Sequence, residues 1–256
     1  MKISLSDKNK IARFIMVFKG VVGMNDLVNI RCTNDHFYLQ AMDKGHSGIV
    51  EVKVMKDWFD DYVEGDDMCI NINTLVKVLE CWNDGYLLTI EDEEERLIIE
   101  LNGKKMMTKR FEIVKIDIVG EIFDIPEREY DIDITLYSES FKNVIDELQL
   151  FNDTLSVTCD EDNICLKTTG EEGSGSVKIK DGDILEYAVA LNSGEIFEQY
   201  LNINKIANSC NVHKLNKEVG VYFSSEDPMK IHYSLDSNDY TGEPSYIRFF
   251  IAPKMQ

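Results

Sequence analysis

The stretch INTLVKVL at residues 72–79 sets Ile72, Leu75, Val76 and Leu79 at i, i+3, i+4 and i+7, one face of an α-helix. The same template recurs at Ile11, Phe14, Ile15 and Phe18, at Phe141, Val144, Ile145 and Leu148, and at Ile203, Ile206, Ala207 and Cys210. Two stripes fall in each half of the chain. Between them lie short alternating or β-rich runs, EVKVM at 51–55, RLIIELN at 96–102, LSVTC at 155–159, VGVYFS at 219–224 and MKIHYSL at 229–235. Turn sequences such as NDG at 83–85, DGD at 181–183 and SSEDP at 224–228 punctuate them, as antiparallel sheet requires. The order helix, strands, helix, strands is thus read twice. The changeover is expected near 117–130, an acidic and Ile-containing segment with Pro126. The pattern by itself predicts an α+β protein with an internal duplication: residues 1–116, a connector over 117–130, and residues 131–256.

With 256 residues, 44% of them hydrophobic, the chain can bury a sizeable core. No apolar run approaches the ~20 residues of a membrane span. The N-terminal MKISLSDKNK lacks the apolar stretch of a secretion signal, so export and membrane association are not expected. Six cysteines, Cys32, Cys69, Cys81, Cys159, Cys165 and Cys210, form no CxxC pair and read as reduced core thiols. The formal net charge of −20 argues against nonspecific nucleic-acid affinity, which comes from phosphates neutralised by Lys and Arg. A protein that holds DNA by encircling it needs only a local basic lining, so the placement of the 27 basic residues decides the matter.

No constellation reads as an active site, and no metal or cofactor is expected. EDEEE at 91–95 joins two strand patterns and reads as a solvated hairpin tip. GEEGSGS at 170–176 is not followed by a helix pattern, so it is not a phosphate-cradling loop. Cys159, Cys165 and His213 lack zinc spacing, and His36, His46, His213 and His232 have no clear nucleophile partner. There is no GxxxxGK[ST] phosphate loop. A metal-dependent hydrolase using Asp66, Asp67 and the acidic loops stays open as a remote alternative.

LQAMDKGHSGIV at 39–50, TLVKVLEC at 74–81, IPEREY at 125–130, TGEEGSGSVKI at 169–179, EDPMKIHYSL at 226–235 and FIAPK at 250–254 appear in the order and at the spacing of one family. Together they resemble proliferating cell nuclear antigen, the DNA sliding clamp. The resemblance implies two similar clamp domains per chain, with antiparallel sheets outside and helices lining a ring of three subunits. It implies a processivity factor rather than an enzyme. Such a factor encircles duplex DNA without sequence preference, is opened by a separate clamp loader, and tethers DNA polymerase, nuclease and ligase through short peptides. The implied location is the nucleus, or a viral replication compartment if the chain is virus-encoded. A subunit of a heteromeric checkpoint-type clamp, and a viral clamp with a role in late transcription, stay open as alternatives.

Carried over residue by residue, the resemblance implies a peptide-docking pocket of Met42, His46, Ile49, Phe123, Ile125, Tyr130, Pro228, Phe250 and Ala252. Phe123 stands where the family usually has a smaller aliphatic residue, and Ser47 where it often has an apolar one. For DNA, helix geometry turns Lys10, Arg13, Lys77 and Lys205 away from the apolar stripes. Lys19, Lys109, Arg110, Lys214 and Lys217 are expected as loop or rim contacts. The third helix departs from a basic lining, with Asn143, Asp146 and Glu147 opposite its stripe, and Glu80 also replaces a common lysine. The segments MTKRFEIV at 107–114 and SGSVKIKD at 174–181 are expected as the sheet edges that meet between subunits.

Overall fold

The structure, a computed structural model, describes residues 1–117, 122–160, 163–192, 194–237 and 240–254. It divides into two units, the first of Met1–Lys44, Val50–Asp124 and Ser234–Ile247, the second of Gly45–Ile49, Ile125–Tyr233 and Arg248–Gln256. The expected halves were contiguous in sequence. The units instead part between Asp124 and Ile125 and exchange a loop and a C-terminal segment. Of the expected connector, 118–121 lie outside the described residues.

In chain order, the first half runs β1 (Lys2–Leu5), α1 (Lys8–Val21), β2 (Leu27–Cys32), β3 (His36–Met42), β4 (Gly48–Met55), β5 (Asp61–Val63), β6 (Gly65–Asn71), α2 (Ile72–Leu79), β7 (Tyr86–Glu93), β8 (Arg96–Gly103) and β9 (Lys109–Val114). The second half runs β10 (Ile132–Tyr137), α3 (Ser138–Leu148), β11 (Thr154–Cys159), β12 (Ile164–Thr169), β13 (Ser174–Ile179), β14 (Ile184–Val189), β15 (Phe197–Asn202), α4 (Ile203–Ser209), β16 (Glu218–Phe223), β17 (Met229–Ser234) and β18 (Tyr246–Ile251).

The duplication is visible in the strand orders. Unit 1 carries the orders β5-β1-β7-β8-β9 and β4-β3-β2-β6, and unit 2 carries β14-β10-β16-β17 and β13-β12-β11-β15. In both, the strand before the first helix lies between the strand that follows the second helix and a late strand of the long connection. Capping repeats too. Asn71 accepts from Thr74 N at 3.0 Å to start α2, and Asn202 accepts from Asn204 N at 3.0 Å to start α4. Asp7 caps α1 by accepting from Asn9 N and Lys10 N at 2.8 and 2.9 Å. No side chain caps α3; its first amide, on Ser138, donates to the Lys217 carbonyl at 2.8 Å instead.

The stripes of α1 and α2 are buried at every position. In unit 1 the Phe14 ring meets Phe18, Phe37 and Phe59 edge-on at 4.9, 5.7 and 5.5 Å between centroids. Each such ring removed from water contributes about 2 kcal/mol or more, and the edge-on contacts add to it. Unit 2 departs from its pattern in two places. Val144 and Ala207 are only half-buried. Cys210 is buried, but α4 has ended at Ser209 and the residue opens a 3-10 turn, Cys210–Leu215. The period of the fourth stripe therefore tightens at its last position. Cys32, Cys69, Cys159 and Cys210 are buried free thiols, whereas Cys81 and Cys165, also expected in the core, are only half-buried; burial pushes Cys32, Cys159 and Cys210 up to about 12.

Candidate functional site

Gln40 lies in the LQAMD block, 5% exposed, on β3 of unit 1. Its side-chain amide donates to the Phe123 carbonyl at 2.9 Å and accepts from the Phe123 amide at 2.8 Å. The amide thus does for Phe123 what a paired strand residue would do, offering one donor and one acceptor in register. It also donates to Tyr38 Oη at 3.0 Å, and Tyr38 donates to the buried Glu51 carboxylate at 2.9 Å. Of the expected docking residues, Met42 and Phe123 belong to this unit, and the Phe123 side chain is 41% exposed.

The other seven, His46, Ile49, Ile125, Tyr130, Pro228, Phe250 and Ala252, belong to unit 2. His46 sits at φ 52° in the left-handed region, so the loop turns sharply there. The next residue, Ser47, accepts from the Ala252 amide through its carbonyl at 3.0 Å. Ser47 Oγ also accepts from Lys205 Nζ. The polar residue expected to be a departure from an apolar pocket is thus a hydrogen-bonding junction between the loop, the C-terminal segment and α4. His46 and Pro228 are exposed, Ile49, Ile125, Tyr130 and Ala252 half-buried, and Phe250 is buried.

Over 122–130 there is no helix or strand, and side chains hold 127–130 in place. Glu127 accepts from Arg248 Nη1 at 2.7 Å, and the Arg248 guanidinium holds its carboxyl below the usual carboxylate range. Arg248 Nε in turn donates to His232 Nδ1 at 3.2 Å, which fixes that nitrogen as an acceptor and the ring as neutral. Arg128 pairs with Asp227 at 3.1 Å. The Lys230 ammonium sits 4.5 Å from the Tyr130 ring centroid and 4.0 Å from that of Tyr222, while the two rings are 5.5 Å apart. Burial pushes both phenols up to about 12, so they face the cation as neutral rings.

The expected DNA-facing cations are used unequally. Lys10 Nζ donates to the Trp58 carbonyl at 2.7 Å and lies 5.4 Å from the Trp58 ring. The Arg13 guanidinium is half-buried, reaching the Ser234 carbonyl at 3.5 Å, and burial lowers its pKa against the opposing pull of Asp236. Both side chains turn from the α1 stripe as helix geometry requires, yet they fold onto their own unit. Lys19 pairs with Glu80 at 2.8 Å. Lys109 donates to the Cys81 carbonyl at 2.9 Å and lies over the Tyr86 ring at 4.7 Å. Arg110 pairs with Glu100, Glu93 and Glu112. Lys205 reaches Ser47 as described. Lys77, Lys214 and Lys217 are exposed and form no ion pair among the described residues. On α3, Lys142 pairs with Asp146 one turn on, and Asn143 and Glu147 are exposed.

The acidic tracts are structural. Residues 94–95 turn between β7 and β8, and 170–173 turn between β12 and β13. Asp67 is held by Arg31 in a two-armed pair at 2.6–3.0 Å. Among the described residues no group of three His, Cys, Asp or Glu side chains is arranged to hold a metal ion. No helix is long and apolar enough to cross a membrane.

The N-terminal domain of proliferating cell nuclear antigen matches residues 4–122, and its C-terminal domain matches residues 124–254. The chain belongs to the proliferating cell nuclear antigen family. Proliferating cell nuclear antigen of Chaetomium thermophilum is 27% identical over 248 residues, 93% of each chain. Proliferating cell nuclear antigen 2 of Drosophila melanogaster is 22% identical over 258 aligned positions, 96% of each chain. The α+β architecture is therefore that of the DNA sliding clamp family. The join between the two matched domains, at 122–124, falls where the two units part.

Of the residues now tied to the connector, Gln40, Lys230 and Arg248 were absent from the expected site. Lys230 and His232 stand two apart on β17 within an otherwise apolar strand, and Arg248 stands within apolar YIRFFI on β18. A charge inside a strand of buried side chains marks a partner that the strand alone does not supply.

Proposed function

We propose that this chain closes with two further copies of itself into a ring around duplex DNA, and that the ring tethers a polymerase, a nuclease and a ligase by docking short aromatic peptides, with Ile125 and Pro228 among the contacting residues. The observation that carries the reading is the match of both clamp domains, in order, across residues 4–254. Two sheet ends support closure: β9 and β13 each terminate a sheet, and each can pair with a strand of a neighbour. Arg110 at one of these edges is already neutralised by Glu93, Glu100 and Glu112, which reduces repulsion from Lys178 on the other. Of the nine expected DNA-facing cations, Lys77, Lys214 and Lys217 are the most available for phosphate, so DNA is held by few contacts and mainly by topology. A nuclear location follows from this role.

Light scattering across a dilution series is expected to give a mass three times that of one chain. A persistent monomer would overturn self-closure and favour a subunit of a heteromeric clamp. For the pocket, a peptide carrying the family's docking motif is expected to bind with affinity on the order of micromolar, and I125A or P228A to weaken it. Unchanged affinity in both variants would remove the pocket assignment. For the DNA face, K77E is expected to reduce polymerase stimulation more than K142E, because Lys142 is already paired with Asp146.

A further inference from the structure

The segment Ile125–Tyr130 has no strand or helix to hold it, and Pro126, Glu127, Arg128 and Glu129 are all exposed. Neither a backbone ladder nor apolar burial therefore accounts for the course of residues 126–129, which run between the half-buried Ile125 and Tyr130. Among the described residues, three charged contacts reach it, and all lie within unit 2. Arg248 is the chief of them. Its side chain is 15% exposed, it is oriented from one side by His232 Nδ1 at 3.2 Å, and it grips Glu127 at 2.7 Å. Lys230 is 9% exposed, and its ammonium lies against both the Tyr130 and Tyr222 rings, which also touch each other. Arg128 closes the set on Asp227, which is 16% exposed.

We propose that Arg248 and Lys230 are positioning residues that fasten the connector in its peptide-docking course by charge, so that docking weakens with rising ionic strength even for a peptide of no net charge. The inference rests on the reading of this segment as part of the docking surface. A segment ordered in advance spares the peptide the entropic cost of ordering it, and that saving appears as affinity. Ion pairs at a partly wet surface are screened by salt, and the saving shrinks with them. The contact of Lys230 with the two rings is more shielded and keeps Tyr130 in place longer.

The test uses the full chain and a docking-motif peptide with uncharged flanks, and reads both peptide affinity and amide hydrogen exchange over 125–130. Between about 50 and about 500 mM salt the wild-type chain is expected to lose affinity about three- to tenfold, as exchange over 127–130 rises. R248M is expected to show the weak affinity and fast exchange at low salt already, with a flattened salt dependence. R248K should restore part of both. E127Q, at an exposed position that folding tolerates, should mimic R248M, and the double variant should be no weaker than either single one. K230M should raise exchange at Tyr130 in particular. Wild-type salt slopes and exchange in both R248M and E127Q would overturn the proposal. If the wild-type chain binds no docking peptide at any salt, the docking reading fails, and exchange over 127–130 still decides whether charge fastens the segment.

Discussion

The two sides of the connector are held by different physics. In unit 1, Phe123 is held by the neutral, buried amide of Gln40, which satisfies both of its backbone groups. In unit 2, residues 127–130 are held by guanidinium, carboxylate and ammonium groups that remain partly in contact with water. A neutral hydrogen bond inside protein is insensitive to salt, and its loss strands groups that water reaches poorly. A charged contact at the surface is adjustable but individually weak. One end is therefore an anchor of fixed strength, and the other is a fastening whose strength the solution sets.

The largest expected effect comes from breaking the anchor. Q40A leaves the Phe123 amide and carbonyl and the Tyr38 hydroxyl short of their partner, and should cost about 2 kcal/mol of stability. Urea unfolding should show a lower midpoint at every salt concentration, with faster exchange at the Phe123 amide. A variant that matched wild type in both would mean that water replaces Gln40 without cost, and the contrast between the two ends would vanish.

Much of this was legible in the sequence, and the reasons differ by region. The helix stripes follow from local periodicity, and at α1 and α2 every striped side chain is buried. The hairpin expected at 91–95 follows from the strand patterns on either side, although its turn is confined to 94–95 and residues 91–93 extend β7. What periodicity could not reach was the direction taken by long side chains. Lys10, Arg13 and Lys205 point off their apolar stripes, as a helical wheel requires. Four or more flexible bonds then carry their charges back to Trp58, Ser234 and Ser47. The exchange of 45–49 and 234–247 between the units is likewise nonlocal, because no pattern within either segment specifies which unit it joins. Gln40 stands within the LQAMD block, yet its role depends on a residue 83 positions away.

A smaller effect is expected at Asp227. D227N removes the charge opposite Arg128 but keeps an oxygen acceptor, so it should cost about 0.5 kcal/mol and show mainly as faster exchange at 127–130 in low salt. At high salt the variant and the wild-type chain should converge. If D227N instead destabilised the chain equally at all salt concentrations, the contact would resemble the Gln40 anchor, and the two ends would not differ in kind.

The smallest effect at neutral pH belongs to His232, and it emerges only in acid. Burial, together with Arg248 on β18 and Lys230 on β17, pushes its pKa down to about 3, against the weaker opposing pull of Glu127 on the connector. In the unfolded chain the ring titrates near its ordinary 6.5. Between those values the unfolded state binds a proton that the folded state refuses, so stability rises with pH across this window. The contribution of the neutral ring is complete above about 6.5 and is lost as pH falls toward about 3. Its limiting slope is about 1.4 kcal/mol per pH unit. H232Q keeps an acceptor for Arg248 Nε and cannot titrate. It should unfold like wild type near pH 8 and lose less stability than wild type on going to about pH 5. Parallel acid limbs for the two proteins would show that His232 accepts a proton without releasing Arg248, and the charged fastening would then be indifferent to the one base built into it.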